Sequence, residues 1–365
     1  MTDLPQFSPP LALRNGQLQT TLGNLPPMPW LARRRGAALL SRAREWLLDC
    51  GDGVRLQGFL SAARGAPGEA RRVALVLHGW EGSAESSYVI SLGAELLARG
   101  FDVLRLNLRD HGASHHLNRD IFHSCRLAEV VGAARAVAAR YPSARLFLAG
   151  FSLGGNFMLR VAADPGAPQT IAGAVAVSPV LDPAATLVAL ERGWLLYRRY
   201  FVRRWSRSLR LKRRLWTDLP DFEPILRSRD LRAMTAGLVG QFTDFGSLDA
   251  YLDGYAVTGS RLASLRFPAT ILLADDDPMI PAADLARLAP SPLLTVVRTR
   301  HGGHCGFVDR LNAPSFADRL VVSRFEGFER FERGGAAALG SPSVLGGAAA
   351  LGAAVAPAPD ALRGG

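Results

Sequence analysis

Apolar positions follow two rhythms along this chain. Short apolar runs are Val73 to Leu77, Leu146-Phe147-Leu148-Ala149, Ile171 to Val177 and Ala269 to Ala274, the last with Thr270 in it, and Phe101 to Leu106 reads as a further strand although Asp102 and Arg105 interrupt it. They have the length and aliphatic content of strands buried on both faces. Between them, Ser87 to Arg99 and Leu127 to Arg140 repeat with helical period, and Tyr141-Pro142 closes the second. Upstream, Glu45 to Asp49 and Val54 to Leu60 flank Gly51-Asp52-Gly53, the pattern of a hairpin. A helix near Ala282 to Leu288, a strand over Leu293 to Val297 and a helix over Ser315 to Arg333 complete the series. Strands alternating with helices predict an α/β domain with a mostly parallel sheet flanked by helices.

Breaks in that alternation divide the chain. Residues 1–44, with Pro5, Pro9, Pro10, Pro26, Pro27 and Pro29, read as an irregular N-terminal arm, with a short helix over Arg33 to Glu45. Residues 45–182 and 267–333 form the core. Residues 183–266 contain no βα unit and read as a helical lid insertion above the strand ends, where ligands enter such sheets. Residues 334–365 are Gly/Ala-rich and read as a flexible tail.

The strand Leu146–Ala149 runs into Gly150-Phe151-Ser152-Leu153-Gly154, followed by the helical segment Phe157 to Ala163. Strand, sharp turn with Ser at its apex, then helix is the setting in which G-x-S-x-G marks a nucleophile elbow. Without that setting it is only a Gly-rich turn with a solvated Ser. A serine hydroxyl needs a base to take its proton. In elbow hydrolases the partners follow in the order acid, then His. Asp275-Asp276-Asp277-Pro278 follows a late strand. Asp277 is the preferred acid because it leads into the turn at Pro278, and Asp276 is the alternative. The base is expected in His301-Gly302-Gly303-His304-Cys305-Gly306-Phe307, with His304, flanked by glycines, favoured over His301. Oxyanion donors are expected at the backbone N–H of Leu153 and of Trp80, within His78-Gly79-Trp80-Glu81-Gly82-Ser83. His78 is read as a buttress of that loop. No cofactor is implied. No metal is implied either, since His301 and His304 have no third ligand nearby.

These residues resemble the YheT-like branch of the α/β-hydrolases, which also contains embryogenesis-associated proteins and lipid-acting α/β-hydrolase-domain esterases. The likeness runs from about Phe7 to Phe331. It is carried by Leu18-Gln19-Thr20, HGWEGS at His78 to Ser83, Asn118-Arg119 with His123-Ser124, GFSLGGN at the elbow, Tyr197 to Phe201, Tyr251 to Ser260, Asp276 to Pro278 and HGGHCGF at His301 to Phe307. It implies an α/β-hydrolase fold, a Ser152, Asp277, His304 charge relay, and carboxylic-ester hydrolysis through an acyl-enzyme. One departure lies at Arg109-Asp110-His111-Gly112-Ala113-Ser114, where the family usually has Arg-Gly-Cys-Ser-Gly. That alters the expected pocket shape and leaves the relay untouched.

Composition refines this picture. The chain has 365 residues, 48% of them hydrophobic, enough for a packed core. Its net charge is +11, yet Lys212 is the only lysine, a bias that points to a GC-rich genome more than to selection for arginine chemistry. Ten of the basic residues, and no acidic ones, fall in Arg192 to Arg214, interleaved with Trp194, Tyr197, Tyr200, Phe201 and Trp205. As a helix, Leu195, Tyr197, Phe201 and Trp205 partly share one side. Three readings stay open: a lid with solvated arginines, a lid that also touches an anionic membrane surface, and a nucleic-acid grip, the least favoured. Substrate classes run from small-molecule to lipid-like acyl esters. An acyltransferase on the same residues and a binding protein with a dormant pocket are the rival functions. Cys50, Cys125 and Cys305 are odd in number and far apart, which points to a reducing compartment. With no signal pattern and no long apolar span, a cytoplasmic location is expected, with the basic helix allowing a peripheral seat on the inner membrane face.

Overall fold

The computed structural model describes residues 6–23, 25–63 and 71–333. The tail expected over 334–365 lies outside the described residues. Eight strands form one sheet: β1 (Ala43–Asp49), β2 (Arg55–Ser61), β3 (Arg72–Leu77), β4 (Asp102–Leu106), β5 (Arg145–Phe151), β6 (Ile171–Val177), β7 (Ala269–Ala274) and β8 (Leu294–Thr299). Their order is β1-β2-β4-β3-β5-β6-β7-β8, with β1 and β2 antiparallel at one edge and β4 to β8 parallel.

Strand side chains alternate between two cores. Val73, Leu75 and Leu77 of β3 share one face with Leu146 and Leu148 of β5. Ala74, Val76, Phe147 and Ala149 face the other way. Helices α5 (Leu127–Arg140) and α6 (Leu153–Ala163) cover the first face. The second is covered by α4 (Ser87–Ala98) and α12 (Phe316–Arg333). Apolar runs without alternation are what a sheet buried on both faces requires. The helix expected near Ala282 to Leu288 is a 3-10 turn over Ala282–Arg287.

Over its described residues, the arm expected to be irregular is largely helical. It holds α1 (Gly16–Leu22), α2 (Met28–Arg35) and α3 (Ala37–Ser41), and β1 begins at Ala43 where a helix through Glu45 was expected. The prolines punctuate these helices rather than abolish them. Pro29 lies in the first turn of α2, where a missing N–H costs nothing, and Asn15 caps α1 by accepting from Leu18 N–H at 3.0 Å.

Between β6 and β7 the chain forms α7 (Pro183–Arg192), α8 (Leu195–Leu215), α9 (Glu223–Leu226), α10 (Leu231–Phe242) and α11 (Leu248–Asp253). Helices α8, α9 and α10 share a small core of Leu209, Phe222, Leu226, Met234 and Leu238, whereas Leu187 and Leu190 of α7 and Leu252 of α11 pack into the main core. On α8, Tyr197, Ser206, Leu209 and Lys212 are buried, whereas Leu195 is exposed, unlike the side expected for it. The single lysine is also not a solvated charge. Lys212, 1% exposed, donates to Asp110 Oδ1 at 2.7 Å and to the carbonyls of His115 and Asn118. Burial pushes the Asp110 carboxyl up to about 6 and the Lys212 ammonium down, while each charge opposes the other's shift. This pair bolts the C-terminal half of α8 to the loop after β4. Lys212→Met, which strands a buried carboxylate, is expected to destabilise the fold by about 3–5 kcal/mol, and adding Asp110→Asn should recover much of that. Urea unfolding of the two variants checks it; equal losses for both would place the stabilisation elsewhere.

Candidate active site

Loops at the carboxyl ends of β3, β5, β6, β7 and β8 converge at the foot of the inserted helices. Ser152 stands between β5 and α6 at φ 54°, ψ −120°. Its N–H donates to Val177 O at 2.8 Å and its carbonyl accepts from Asn156 N–H at 3.0 Å, so neighbouring backbone holds the unusual conformation. A Cβ on Gly154 would overlap the carbonyl oxygens of His78 and Leu77, which is why only glycine fits there.

The loop after β3 lies against this apex. A Cβ on Gly79 would stand 3.1 Å from Ser152 Cβ. His78 ties the loop down. Leu108 N–H donates to its Nε2 at 3.2 Å, so Nδ1 carries the proton and donates to Gly79 O at 2.7 Å. Burial pushes His78 down to about 4, leaving it neutral. Trp80 and Leu153, the expected backbone donors, line the same cavity as Ser152 and His304. The indole of Trp80 stacks on Phe201 of α8 with ring centroids 5.0 Å apart and meets Trp205 edge-on at 5.1 Å. Next to it, buried Glu81 lines the cavity with φ 57°; burial pushes its carboxyl up to about 7 against the pull of Arg204.

Among the three aspartates, the structure brings Asp277 against the imidazole. Its Oδ2 is 3.0 Å from His304 Nδ1, and its Oδ1 accepts from Met279 N–H at 2.9 Å and Ile280 N–H at 3.0 Å. Asp276 instead accepts from Gly303 N–H at 2.8 Å and lies 3.6 Å from His301. Asp275 pairs with Arg298 on β8. Burial works against a charged His304, but the Asp277 carboxylate, together with the neighbouring Cys305 sulfur, outweighs it and holds the imidazole well above the ordinary histidine range. Among the described residues no group of three or more His, Cys, Asp or Glu side chains is placed to hold a metal ion.

Two supports escaped the sequence reading. Gln19, fully buried on α1, donates to Val308 O and accepts from Val308 N–H, each at 2.8 Å. Thr20 Oγ1 accepts from His304 N–H at 2.8 Å. The arm thus braces the loop that carries His304, and Gly303, at φ 55°, lets that loop pass against the Gly16 carbonyl. The signal was present in Leu18-Gln19-Thr20, a shared motif without an assigned task. The elbow's Asn156 is a third support. Its amide donates to Val180 O at 2.9 Å and Tyr255 O at 2.7 Å, one carbonyl on each side of the inserted helices.

The α/β-hydrolase fold family matches residues 74–311. The mouse protein named Phospholipase ABHD3 is 25% identical over 303 residues, spanning 78% of this chain and 73% of its own length. Embryogenesis-associated protein EMB8 of Picea glauca is 23% identical over 273 residues, spanning 71% of this chain and 59% of its own. A crystal structure described as a membrane phospholipase A, a novel bacterial virulence factor, has a TM-score of 0.54 at 19% identity, covers 86% of this chain and 97% of its own, and speaks to fold alone. The chain belongs to the α/β-hydrolase family, in its YheT/EMB8-like group, and is an enzyme of the hydrolase class.

The electrostatics of the His304 pair carry a direct test. In Asp277→Asn the carboxylate's attraction is removed while the burial remains, so His304 should titrate well below its wild-type point, held up only by what Cys305 contributes. An NMR titration of the imidazole Cε1–H checks this; an unchanged high titration point would mean that another group holds the proton.

Proposed function

We propose that this α/β-hydrolase cleaves carboxylic esters of lipid-like acyl chains through an acyl-enzyme on Ser152. The observation that carries the reading is the pairing of Asp277 with His304 on the cavity that holds the left-handed Ser152. In the first step His304 Nε2 takes the Ser152 proton as Oγ attacks the ester carbonyl. Asp277 keeps Nδ1 protonated and stabilises the imidazolium that forms. Trp80 and Leu153 N–H receive the negative charge on the carbonyl oxygen. Collapse of the tetrahedral adduct breaks the ester C–O bond, and the departing alkoxide takes the proton from His304. Water, deprotonated by His304, then attacks the acyl carbon, and Ser152 leaves with that proton.

Size and lining support a long acyl group. The cavity measures about 1010 Å³ and includes Leu187, Leu190, Leu231, Leu238 and Val239 from the inserted helices. That is the upper end of small-ligand sites, which run roughly 300–1,000 Å³. A relative named as a phospholipase points the same way.

A fluorophosphonate probe should label the wild type and leave Ser152→Ala unlabelled; equal labelling of both would sink the reading. The pH profile supplies a second test. Because His304 acts as base only after losing a proton held above the ordinary histidine range, kcat/KM for a p-nitrophenyl ester should climb with pH through that raised value and fall away below it. Asp277→Asn should shift this limb to lower pH and cut kcat by about 10⁴-fold. Glu81→Gln should remove any inflection near pH 7 while leaving the His304 limb in place.

A further inference from the structure

We propose that the mouth of the Ser152 cavity is a docking face for an anionic lipid surface, built jointly by the α2 region and the start of α8. The proposal rests on the ester-hydrolase reading and deepens it by naming the phase from which substrate arrives. A side chain that lines the cavity yet exposes half its surface must stand at an opening. Four large apolar residues do so: Leu25 (48% exposed), Trp194 (47%), Leu196 (51%) and Tyr200 (46%). Leu25 immediately precedes α2; the other three come from the start of α8, about 170 residues later. Helix α1 links the two, since the Tyr197 hydroxyl bonds to Gln17 and the Tyr197 ring meets Trp194 edge-on at 5.7 Å. Adjacent in sequence to the lining residues Pro29, Trp194 and Leu196, Trp30 and Leu195 are exposed as well.

Charge narrows the occupant. Arg199, Arg203 and Arg204 line the cavity beside those apolar residues. On the α2 side, Arg34 lies over the Trp30 ring at 5.5 Å, and Arg33 adjoins it, paired with Glu85. No acidic residue occurs between Arg192 and Arg214. A rim of Trp, Leu and Tyr studded with arginine matches an interface whose headgroups are anionic and whose interior is apolar. A nucleic acid would use the arginines but gain nothing from Leu25, Leu195 and Leu196. The rim also opens into an apolar cavity leading to Ser152, so an ester lifted from a bilayer need never cross water.

Cosedimentation of the Ser152→Ala protein with phosphatidylglycerol-containing vesicles reads docking without turnover. Binding is expected to these vesicles, to weaken as salt rises, and to be at least about tenfold weaker on pure phosphatidylcholine. Trp30→Glu and Leu195→Glu, neither of which lines the cavity, should each lower vesicle affinity by about tenfold or more. In the Ser152-intact background, each should lower kcat/KM on vesicle-borne ester by the same factor. Turnover of soluble p-nitrophenyl butyrate should stay within about twofold of wild type. Three results would overturn the proposal: no vesicle binding, binding unaffected by both substitutions, or tighter binding to short duplex DNA than to anionic vesicles. Absent fluorophosphonate labelling with intact vesicle binding would instead remove the hydrolase reading and leave the docking face standing.

Discussion

The backbone at Ser152 is the constraint on which the site depends. A non-glycine residue held at φ 54° costs on the order of 1–3 kcal/mol and persists only where its surroundings over-determine it. Here the surroundings are the carbonyl of Val177 on β6, the N–H of Asn156 one turn into α6, and glycines that let β3's loop and α6 close to backbone contact. The conformation lifts the hydroxyl off the end of a buried strand and places it at the N-terminus of α6, whose unpaired N–H groups favour negative charge. Relaxing Ser152 to a helical or extended backbone would withdraw the hydroxyl from Gly79 and leave the loops above it with nothing to converge on.

What converges is held by two helices. Helix α1 grips the His304 loop through Gln19 and Thr20, contacts that span 284 to 289 residues of sequence. Helix α8 stacks Phe201 and Trp205 on Trp80. An aromatic pair of this kind contributes about 0.5–1.5 kcal/mol beyond the area it buries, enough to bias a short loop strongly. The helix that roofs the cavity therefore also steadies the residue expected to donate to the oxyanion. Asn156 joins these halves: its amide reaches the chain on both sides of the insertion, so α6 locates the roof as well as the serine.

This division explains what was legible in the sequence. The sheet was legible because strands buried on both faces must be apolar, and β3, β5, β6 and β7 are, apart from Arg72 and Arg145 at two strand starts and Thr270. The candidate relay was legible because its members are tied to strand ends in a fixed chain order. Choosing between Asp276 and Asp277 was a different matter. Both follow β7, and only the turn at Pro278, with two N–H groups on Asp277 Oδ1, aims one carboxylate at His304. The N-terminal helices were hidden by their prolines and by their short length, and what orders them lies at the other end of the chain. Lys212 was hidden for an electrostatic reason. Nothing local marks one cation among ten as the one that meets a buried carboxylate, although the unusual Asp110 marked the place where the partner would be found.

Burial acts on the histidines around the site in one direction, and partners decide the outcome. His78, His115 and His123 are each pushed down by burial to about 4, and His111 falls well below its ordinary value. His78 and His111 lie with ring centroids 5.0 Å apart at the loop after β3, where neutrality lets them serve as uncharged props. His304 is buried too, yet a carboxylate hydrogen-bonds to its Nδ1 at 3.0 Å and it moves the opposite way. A low-dielectric site strengthens the penalty on a lone charge and the attraction within a pair alike, so it separates structural imidazoles from a proton-carrying one without help from sequence position. Such a site would favour the imidazolium formed in the proposed attack by Ser152, and the same attraction would set how alkaline the medium must be before that imidazole is free to act.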